Sequence, residues 1–418
     1  MKALLIHQVF VSPNEPGGTR HYEFGRYLAS QGHEFTVVAS DISYVTGDRY
    51  TSGRKRLVTE QEMEGVRVFR TWTLQTLHRS FAWRVVSFLS FMVTSIWAGL
   101  RAGPIDVVVG TSPPLFQLVS AWIVSVLRRR PLLIEIRDLW PEFAIDVGIL
   151  KSPVLIWMAR CLENFMYARA THLLVNSPAY RDYLLRKGIP DSKITIISNG
   201  VDPELFHPDA DGSAFRKQWN ANGKFIATYA GALGMSNDIS TILKAANRLR
   251  DDERIHFMLV GDGKDRAILE QQSRELKLPN VTFAGACVKE KMPQVLTASD
   301  ACIATLLDVP MYRTTYPNKV FDYMAAGRPT VLAIDGVIRK VVDSADGGVF
   351  VPPGDDAALA KAVLRLSNDV DSARTMGRRA RAYVVEHFDR RRQAEDFGKL
   401  LMRLSGTQTS ESSERALP

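Results

Sequence analysis

Asn199-Gly-Val-Asp-Pro-Glu-Leu-Phe-His-Pro208 is the stretch whose reading decides the fold, because the chain repeats one pattern on either side of it. Its two prolines and its glycine suit neither a helix nor a strand, so it is a connection. Before it, Leu4–Val9, Glu34–Ala39, Val66–Arg70, Ile105–Gly110, Leu132–Ile136, His172–Asn176 and Ile194–Ser198 read as strands, with helix-length segments between most of them. After it the alternation restarts at Phe225–Ala230 and continues through Ile255–Val260, Val281–Ala284, Ala301–Leu306, Thr330–Ala333 and Val349–Val351. Such alternation predicts parallel, doubly wound sheets. The expected class is α/β, with one Rossmann-like domain over 1–205 and a second over 206–385. A terminal helix over 386–405 is expected to pack back toward the first domain, and the polar tail 406–418 is expected to be disordered.

A chain of 418 residues, 46% hydrophobic and 23% charged, can bury two sizeable cores and is neither fibrous nor disordered in composition. Cys161, Cys287 and Cys302 are widely separated and form no C-x-x-C pair, so neither a disulfide framework nor a zinc site is indicated, and a reducing, cytoplasmic setting fits best. The apolar start, Met1 to Phe10, contains His7 and Gln8 and lacks a small-residue cleavage pattern, so it reads as a buried strand and not as a signal peptide. The net charge of +8 is concentrated early: residues 1–200 hold 23 Lys and Arg against 16 Asp and Glu. A basic half suits nucleic acid, an anionic membrane, a phosphorylated ligand or simply a basic surface.

Val85 to Leu100 carries no charge, and at about 1.5 Å per residue it spans roughly 24 Å, short of a hydrocarbon core of about 30 Å. Three readings remain open. The segment is a crossover helix on the first sheet, an interfacial helix dipping Phe81, Trp83, Phe88, Phe91 and Trp97 into a bilayer beside Arg79, Arg84 and Arg101, or a poor transmembrane span.

Ligands of open α/β domains bind at the carboxyl ends of the strands, where helix starts favour anions. Ser12-Pro-Asn-Glu-Pro-Gly-Gly-Thr19 follows the first strand, and Gly17 and Gly18 allow close approach to a phosphate or sugar, although paired glycines are also ordinary turn chemistry. Tyr229-Ala-Gly-Ala-Leu-Gly-Met-Ser-Asn237 and Val260-Gly-Asp-Gly263 supply glycine turns without matching a dinucleotide or P-loop fingerprint. Tyr316-Pro-Asn-Lys-Val-Phe-Asp-Tyr-Met-Ala-Ala-Gly327 is the most informative run. Pro317 and Asn318 read as a helix start, with Lys319 in the first turn and Asp322 on the same face. A lysine there opposes the helix dipole unless an anion is bound; a solvated lysine and a capping aspartate are the alternative.

Taken in order, Gly17-Gly18, Thr111-Ser-Pro-Pro114, Arg137-Asp-Leu-Trp-Pro-Glu142, Ser198-Asn-Gly-Val-Asp202, Val260-Gly-Asp-Gly263 and Pro317 to Gly327 resemble glycosyltransferase family four over nearly the whole chain. The Asp-Leu-Trp-Pro and Pro-Asn-Lys-Val-Phe-Asp-Tyr segments are most similar to its branch building bacterial O-antigen, capsule and colanic-acid-type polysaccharides. The resemblance implies a GT-B fold, two Rossmann-like domains facing across a cleft, and a retaining, metal-independent transfer from a nucleoside-diphosphate sugar, with uridine diphosphate expected. It implies no cofactor and no nucleic-acid partner. The acceptor is expected to be a glycan or an undecaprenyl-diphosphate-linked glycan at the cytoplasmic face of an anionic inner membrane, bound by the first domain. Donor-site residues implied by motif position are Gly17, Gly18, Gly231, Gly261, Gly263, Cys287, Arg313, Asn318, Lys319 and Asp322. Lys319 also stabilises the leaving phosphate, and the base sits near Ala286 and Cys287.

Two departures from the family pattern stand out. Asp322 replaces the second of two glutamates, and Thr314 stands where the first is expected. The cations usual after the first strand of the second domain are missing from Gly231 to Asp238, which leaves Lys319, Arg313 and Arg20 to neutralise a diphosphate. Asp138 is the candidate catalytic carboxylate, either positioning the donor sugar or accepting the proton, unless it serves a loop salt bridge; Glu142 is the fallback. Two D-x-D triplets, Asp209-Ala-Asp211 and Asp369-Val-Asp371, lie away from strand ends and are discounted as metal sites. A nucleotide-sugar epimerase of the same fold and a non-enzymatic basic binding protein are the competing classes.

Overall fold

The computed structural model describes residues 1–11, 18–43, 47–50, 57–76 and 81–407. The expectation for the tail beyond 407 lies outside these. The described chain divides into two units: one holds the residues up to Ser198 and those from Arg391, the other Asn199–Arg390.

In the first unit the order is β1 (Lys2–Ile6), α1 (Arg20–Ser30), β2 (Glu34–Ser40), β3 (Val58–Met63), β4 (Val66–Thr71), α2 (Phe81–Arg101), β5 (Val107–Ser112), α3 (Phe116–Arg128), β6 (Leu132–Ile136), α4 (Glu142–Asp146), α5 (Pro153–Arg169), β7 (His172–Val175), α6 (Pro178–Arg186) and β8 (Ile194–Ile196). The sheet order is β3-β4-β2-β1-β5-β6-β7-β8. All pairs are parallel except β3 with β4. β3 departs from the expected all-parallel sheet. Its sequence, Val-Thr-Glu-Gln-Glu-Met, is too polar to read as a buried strand, but it sits on the sheet edge where one side meets water. The tight turn after it places Glu64 and Gly65 at φ of 48° and 84°.

β1 ends at Ile6, three residues earlier than expected, so His7 and Gln8 leave the sheet at its carboxyl edge while staying buried. The interior strands are apolar on both faces, as parallel strands covered on both sides must be. The buried charged exceptions are Arg70 in β4 and Glu135 in β6.

The second unit follows as α7 (Ser213–Gln218), β9 (Phe225–Ala230), α8 (Ile239–Arg248), β10 (Ile255–Val260), α9 (Arg266–Glu275), β11 (Val281–Gly285), α10 (Met292–Thr297), β12 (Ala301–Thr305), α11 (Asn318–Ala325), β13 (Thr330–Ala333), α12 (Val337–Ser344), β14 (Gly348–Phe350), α13 (Asp356–Asn368) and α14 (Val370–His387). Its sheet, β11-β10-β9-β12-β13-β14, is parallel throughout. The final helix, α15 (Arg390–Ser405), returns to the first unit. There Phe397 stacks on Phe24 at 5.0 Å and joins Phe35, Leu28 and Leu400 in one core.

The division falls at 198/199 and not at 205, and the second unit runs to Arg390 and not 385. Hydrogen bonds explain both shifts. Val201 N donates to Phe388 O, Arg390 N to Val201 O, Asn199 Nδ2 to Tyr316 O, and the Arg381 guanidinium to Phe206 O, so the linker belongs to the second unit.

α2 is a crossover helix, with Phe91, Ser95 and Ala98 buried and α3 packed alongside. Trp83–Arg101 is long and apolar enough to cross a membrane, with mean hydropathy 1.3, yet this buried side gives it a place in the unit. Phe91 is wholly buried and therefore unavailable to a bilayer, contrary to the sequence reading, while Trp83 and Trp97 are exposed. Arg79 lies outside the described residues.

Candidate active site

In the second unit, the loops leaving β9, β10 and β11 interlace at the carboxyl edge of the sheet. Gly231 N donates to Val260 O, Gly261 N to Gly285 O, and Leu233 N to Asp262 O, each within 2.9 Å. A Cβ on Gly261, where φ is +148°, would lie 1.8 Å from Gly231 O, and one on Gly263 would lie 2.2 Å from Leu233 O. Glycine is required here because one backbone crosses another. Cys287 follows β11 at the same edge, half-buried, with its thiol pushed upward by burial.

α11 begins at this edge, with Asn318 exposed as its first residue and Asp322 half-buried one turn on. Lys319 reaches Gly231: its Nζ lies 3.4 Å from where a Cβ there would stand. The amine donates to Asn237 Oδ1 at 2.6 Å and to Tyr229 Oη at 2.9 Å, and sits 4.5 Å above the Tyr229 ring. Burial lowers its pKa to about 7. The loop carrying Asn237 is itself anchored, since Tyr312 Oη donates to Ser236 Oγ at 2.6 Å and Thr305 Oγ1 to Asn237 O at 2.5 Å.

Tyr229 and Asn237 flank the glycine loop and are the partners that the motif reading missed. A lysine at the start of a helix signals a need for acceptors or an anion, but only the folded chain shows which acceptors it meets.

Arg313 and Arg20 are not spare cations. Arg313 is exposed and paired with Asp308 at 2.8 Å. Arg20 is buried, its Nε donating to Glu135 at 3.0 Å and its terminal nitrogens to Ser198 O at 2.6 Å and Ile197 O at 2.7 Å. Both are occupied by the fold.

At the carboxyl edge of the first sheet, the same Glu135 also accepts from His21 Nε2, and the His21 ring meets His7 edge-on at 4.7 Å. Burial opposes ionisation of Glu135, yet His21 and Arg20 outweigh it and hold the carboxyl well below its usual range. Burial lowers the pKa of both histidines, against the opposing charge of Glu135. Glu135 thus ties the first turn of α1 to β6, one strand-end away from Asp138. Removing this carboxylate strands a buried guanidinium. Glu135→Gln is expected to cost about 3–5 kcal/mol of unfolding free energy, read as a lower urea midpoint at unchanged slope; an unaltered midpoint would show that the network is dispensable.

Gly17 lies outside the described residues. Gly18 is described, and a Cβ there would meet Arg137 Nη2 at 3.4 Å. Arg137 Nε is buried without a hydrogen-bond partner among the described residues. Asp138 is half-buried, and its carboxylate has no hydrogen-bond partner among the described residues. Burial raises its pKa to about 6, against the opposing charge of Arg137. Glu142, the fallback, gives both oxygens to Arg160 at 2.8 and 2.9 Å and so holds α4 to α5. Its carboxylate is already committed to that pair.

Residues 17–200 match the glycosyl transferase 4-like domain and residues 224–369 the glycosyl transferases group 1 domain. The chain belongs to glycosyltransferase family four. This transferase is 24% identical to the putative colanic acid biosynthesis glycosyl transferase WcaI of Escherichia coli K12, over 79% of its own length and 83% of the relative's. It is also 24% identical to a GDP-mannose-dependent alpha-mannosyltransferase of Mycobacterium tuberculosis, over 82% of each chain. Its GT-B fold is shared with Anabaena Alr3699/HepE, solved with UDP and glucose, at TM-score 0.72 and 19% identity over 96% of this chain and 99% of that one. Sucrose-phosphate synthase of Thermosynechococcus elongatus gives TM-score 0.76 at 22% identity, over 98% of this chain and 100% of that one.

The D-x-D triplets of the transferase are turn and cap residues. Asp211 accepts from Ser213 N at 2.9 Å and Asp369 from Ser372 N at 3.0 Å. Thr314, at the position of the absent glutamate, donates to Met311 O at 2.6 Å.

Proposed function

We propose that this transferase moves a sugar from a nucleoside-diphosphate donor to a lipid-diphosphate-linked glycan in bacterial surface-polysaccharide synthesis, working at the cytoplasmic face of the inner membrane with retention at the anomeric carbon and without a metal or cofactor. The observation that carries the donor assignment is Lys319 held beside Gly231 at the start of α11. Its ammonium and the neighbouring amides form a cationic seat for a diphosphate. Gly261, Gly263 and Cys287 flank the nucleoside, and Asp322 accepts from ribose hydroxyls.

Charge develops in two places as the glycosidic C–O bond breaks: positive on the sugar and negative on the leaving phosphate. Lys319 and the amides meet the second. Attack comes from the same face as departure, with the leaving phosphate sharing the acceptor proton and Asp138 positioned to orient the hydroxyl or receive that proton. Arg137 adds positive charge beside Gly18 in the first unit.

Uridine diphosphate is the proposed carrier, supported by the HepE complexes, whereas the mycobacterial relative is named for GDP-mannose. A thermal-shift panel of nucleoside diphosphates and their sugars tests this, since saturation at about a hundredfold over Kd stabilises the folded state by about 2.7 kcal/mol. UDP and a UDP-sugar should raise Tm. A shift with GDP alone reassigns the base, and no shift with any of them removes the donor reading.

A further inference from the structure

The outer face of the first unit is built inside out. On α2 the residues at spacings of three and four, Val86, Leu89, Val93 and Trp97, point to solvent. Its inner side buries Phe91 and Ala98 and also carries small polar groups that bond to the protein: Leu74 N donates to Ser90 Oγ at 2.9 Å, and Thr94 Oγ1 to Trp72 O at 2.9 Å. A surface helix of a water-facing domain shows the reverse.

α5 goes further. No residue from Lys151 to Leu162 is buried, yet the run reads Val-Leu-Ile-Trp-Met, with Val154 64% and Trp157 67% exposed. Where α5 does turn inward it buries Met166 and Tyr167 together with a carboxylate, Glu163, held by Lys187 and Tyr183. α3 lies between the two helices, with Trp122 against Phe165 of α5 at 5.1 Å, and adds exposed Leu127. The three helices therefore present one apolar face far richer than scattered surface residues.

Charge selects the occupant. α2, α3 and α5 carry Arg84, Arg101, Arg128 and Arg169, besides Arg160, which is paired with Glu142, and the one acidic residue on the three helices is the buried Glu163. Arg101 lies over the Trp97 ring at 4.3 Å and Arg169 over Phe165 at 5.2 Å, so aromatic and cation are presented together. Exposed Arg129, Arg130 and Lys151 border the same helices. A second copy would bring like charges together; an anionic lipid surface meets both the apolar and the basic parts.

We infer that α2, α3 and α5 form a bilayer-docking face and that the first turns of α5, from Val154 to Met158, are its penetrating anchor. This rests on the membrane-borne acceptor of the proposed function and assigns the contact to residues. The full chain is incubated with phosphatidylcholine vesicles and with phosphatidylcholine–phosphatidylglycerol vesicles, and flotation is compared for wild type, Trp157→Glu and Val154→Glu. Both side chains project from the fold, so both variants keep their Tm and their nucleotide-induced shift.

Wild type is expected to float with the anionic vesicles, and each variant to partition about tenfold more weakly, equivalent to about 1.4 kcal/mol. Brominated lipids should quench tryptophan emission in wild type and much less in Trp157→Phe. Undiminished flotation of Trp157→Glu and Val154→Glu, or quenching indifferent to Trp157→Phe, overturns the assignment. So does a wild type that self-associates in solution and floats with neither vesicle. Loss of nucleotide binding in the wild type bears on the donor reading alone, because flotation needs no sugar.

Discussion

Asp138→Asn is expected to slow sugar transfer by about 100-fold or more, the usual worth of a positioned proton acceptor, while leaving nucleotide-induced stabilisation intact. The two readouts separate because Asp138 belongs to the first unit and Lys319 to the second. Asparagine keeps the size and one acceptor oxygen but cannot take a proton. The pH profile adds a signature that a structural role would not give. Burial lifts the Asp138 pKa to about 6, so the carboxylate is ionised at pH 7 and becomes protonated as pH falls through 6. Wild-type rate should therefore drop about tenfold per unit below pH 6, and this limb should vanish in Asp138→Asn. A slow variant that retains the acidic limb would transfer the role to another group, and an unimpaired variant would remove Asp138 from the chemistry. Glu142→Gln is the internal control, since its carboxylate holds Arg160 and its loss should touch stability more than rate.

The two sheets were legible in the sequence because parallel strands covered on both faces must be written as apolar runs. Leu132-Leu-Ile-Glu-Ile136 and Phe225-Ile-Ala-Thr-Tyr-Ala230 coincide with β6 and β9 as expected. β3 was not legible, because an edge strand can afford Glu60 and Glu62 facing water. The unit boundary slipped by several residues for a similar reason: Val201 and Phe206 bond to residues nearly two hundred positions away, and no local pattern announces such a partner. Gly231, Gly261 and Lys319, named from motifs, come together at one edge of the second sheet, because glycines at strand ends and a lysine at a helix start carry their signal in their own neighbourhood. Arg20 shows the limit of that approach. Its position after a glycine pair suggests a phosphate ligand, but the fold gives it Glu135 and two carbonyls, and the free edge beside Gly18 goes to Arg137. His7 and His21 were missed because a buried histidine in an apolar stretch has no spacing signature.

Lys319→Ala is expected to lower transfer at least about tenfold, from the loss of one charge-assisted hydrogen bond of about 1.5–3 kcal/mol to the leaving phosphate. The effect should depend on pH in a direction the lysine dictates. In the free protein its pKa is about 7, so above pH 7 the amine is largely neutral and its two partners are the hydroxyl of Tyr229 and the amide oxygen of Asn237. A bound diphosphate stabilises the ammonium and raises that pKa. Binding then takes up a proton, and affinity for the nucleoside diphosphate should be flat below about pH 7 and weaken by up to tenfold per unit above it, until the raised pKa of the complex is reached. Titrating UDP binding across this range in wild type and Lys319→Ala isolates the effect, because the variant should bind weakly with no such slope. If the slope persists without Lys319, the proton resides elsewhere and the cationic seat must be reassigned. If wild-type affinity is level across pH 7, the amine is not what meets the diphosphate, and the amides at the start of α11 hold it alone.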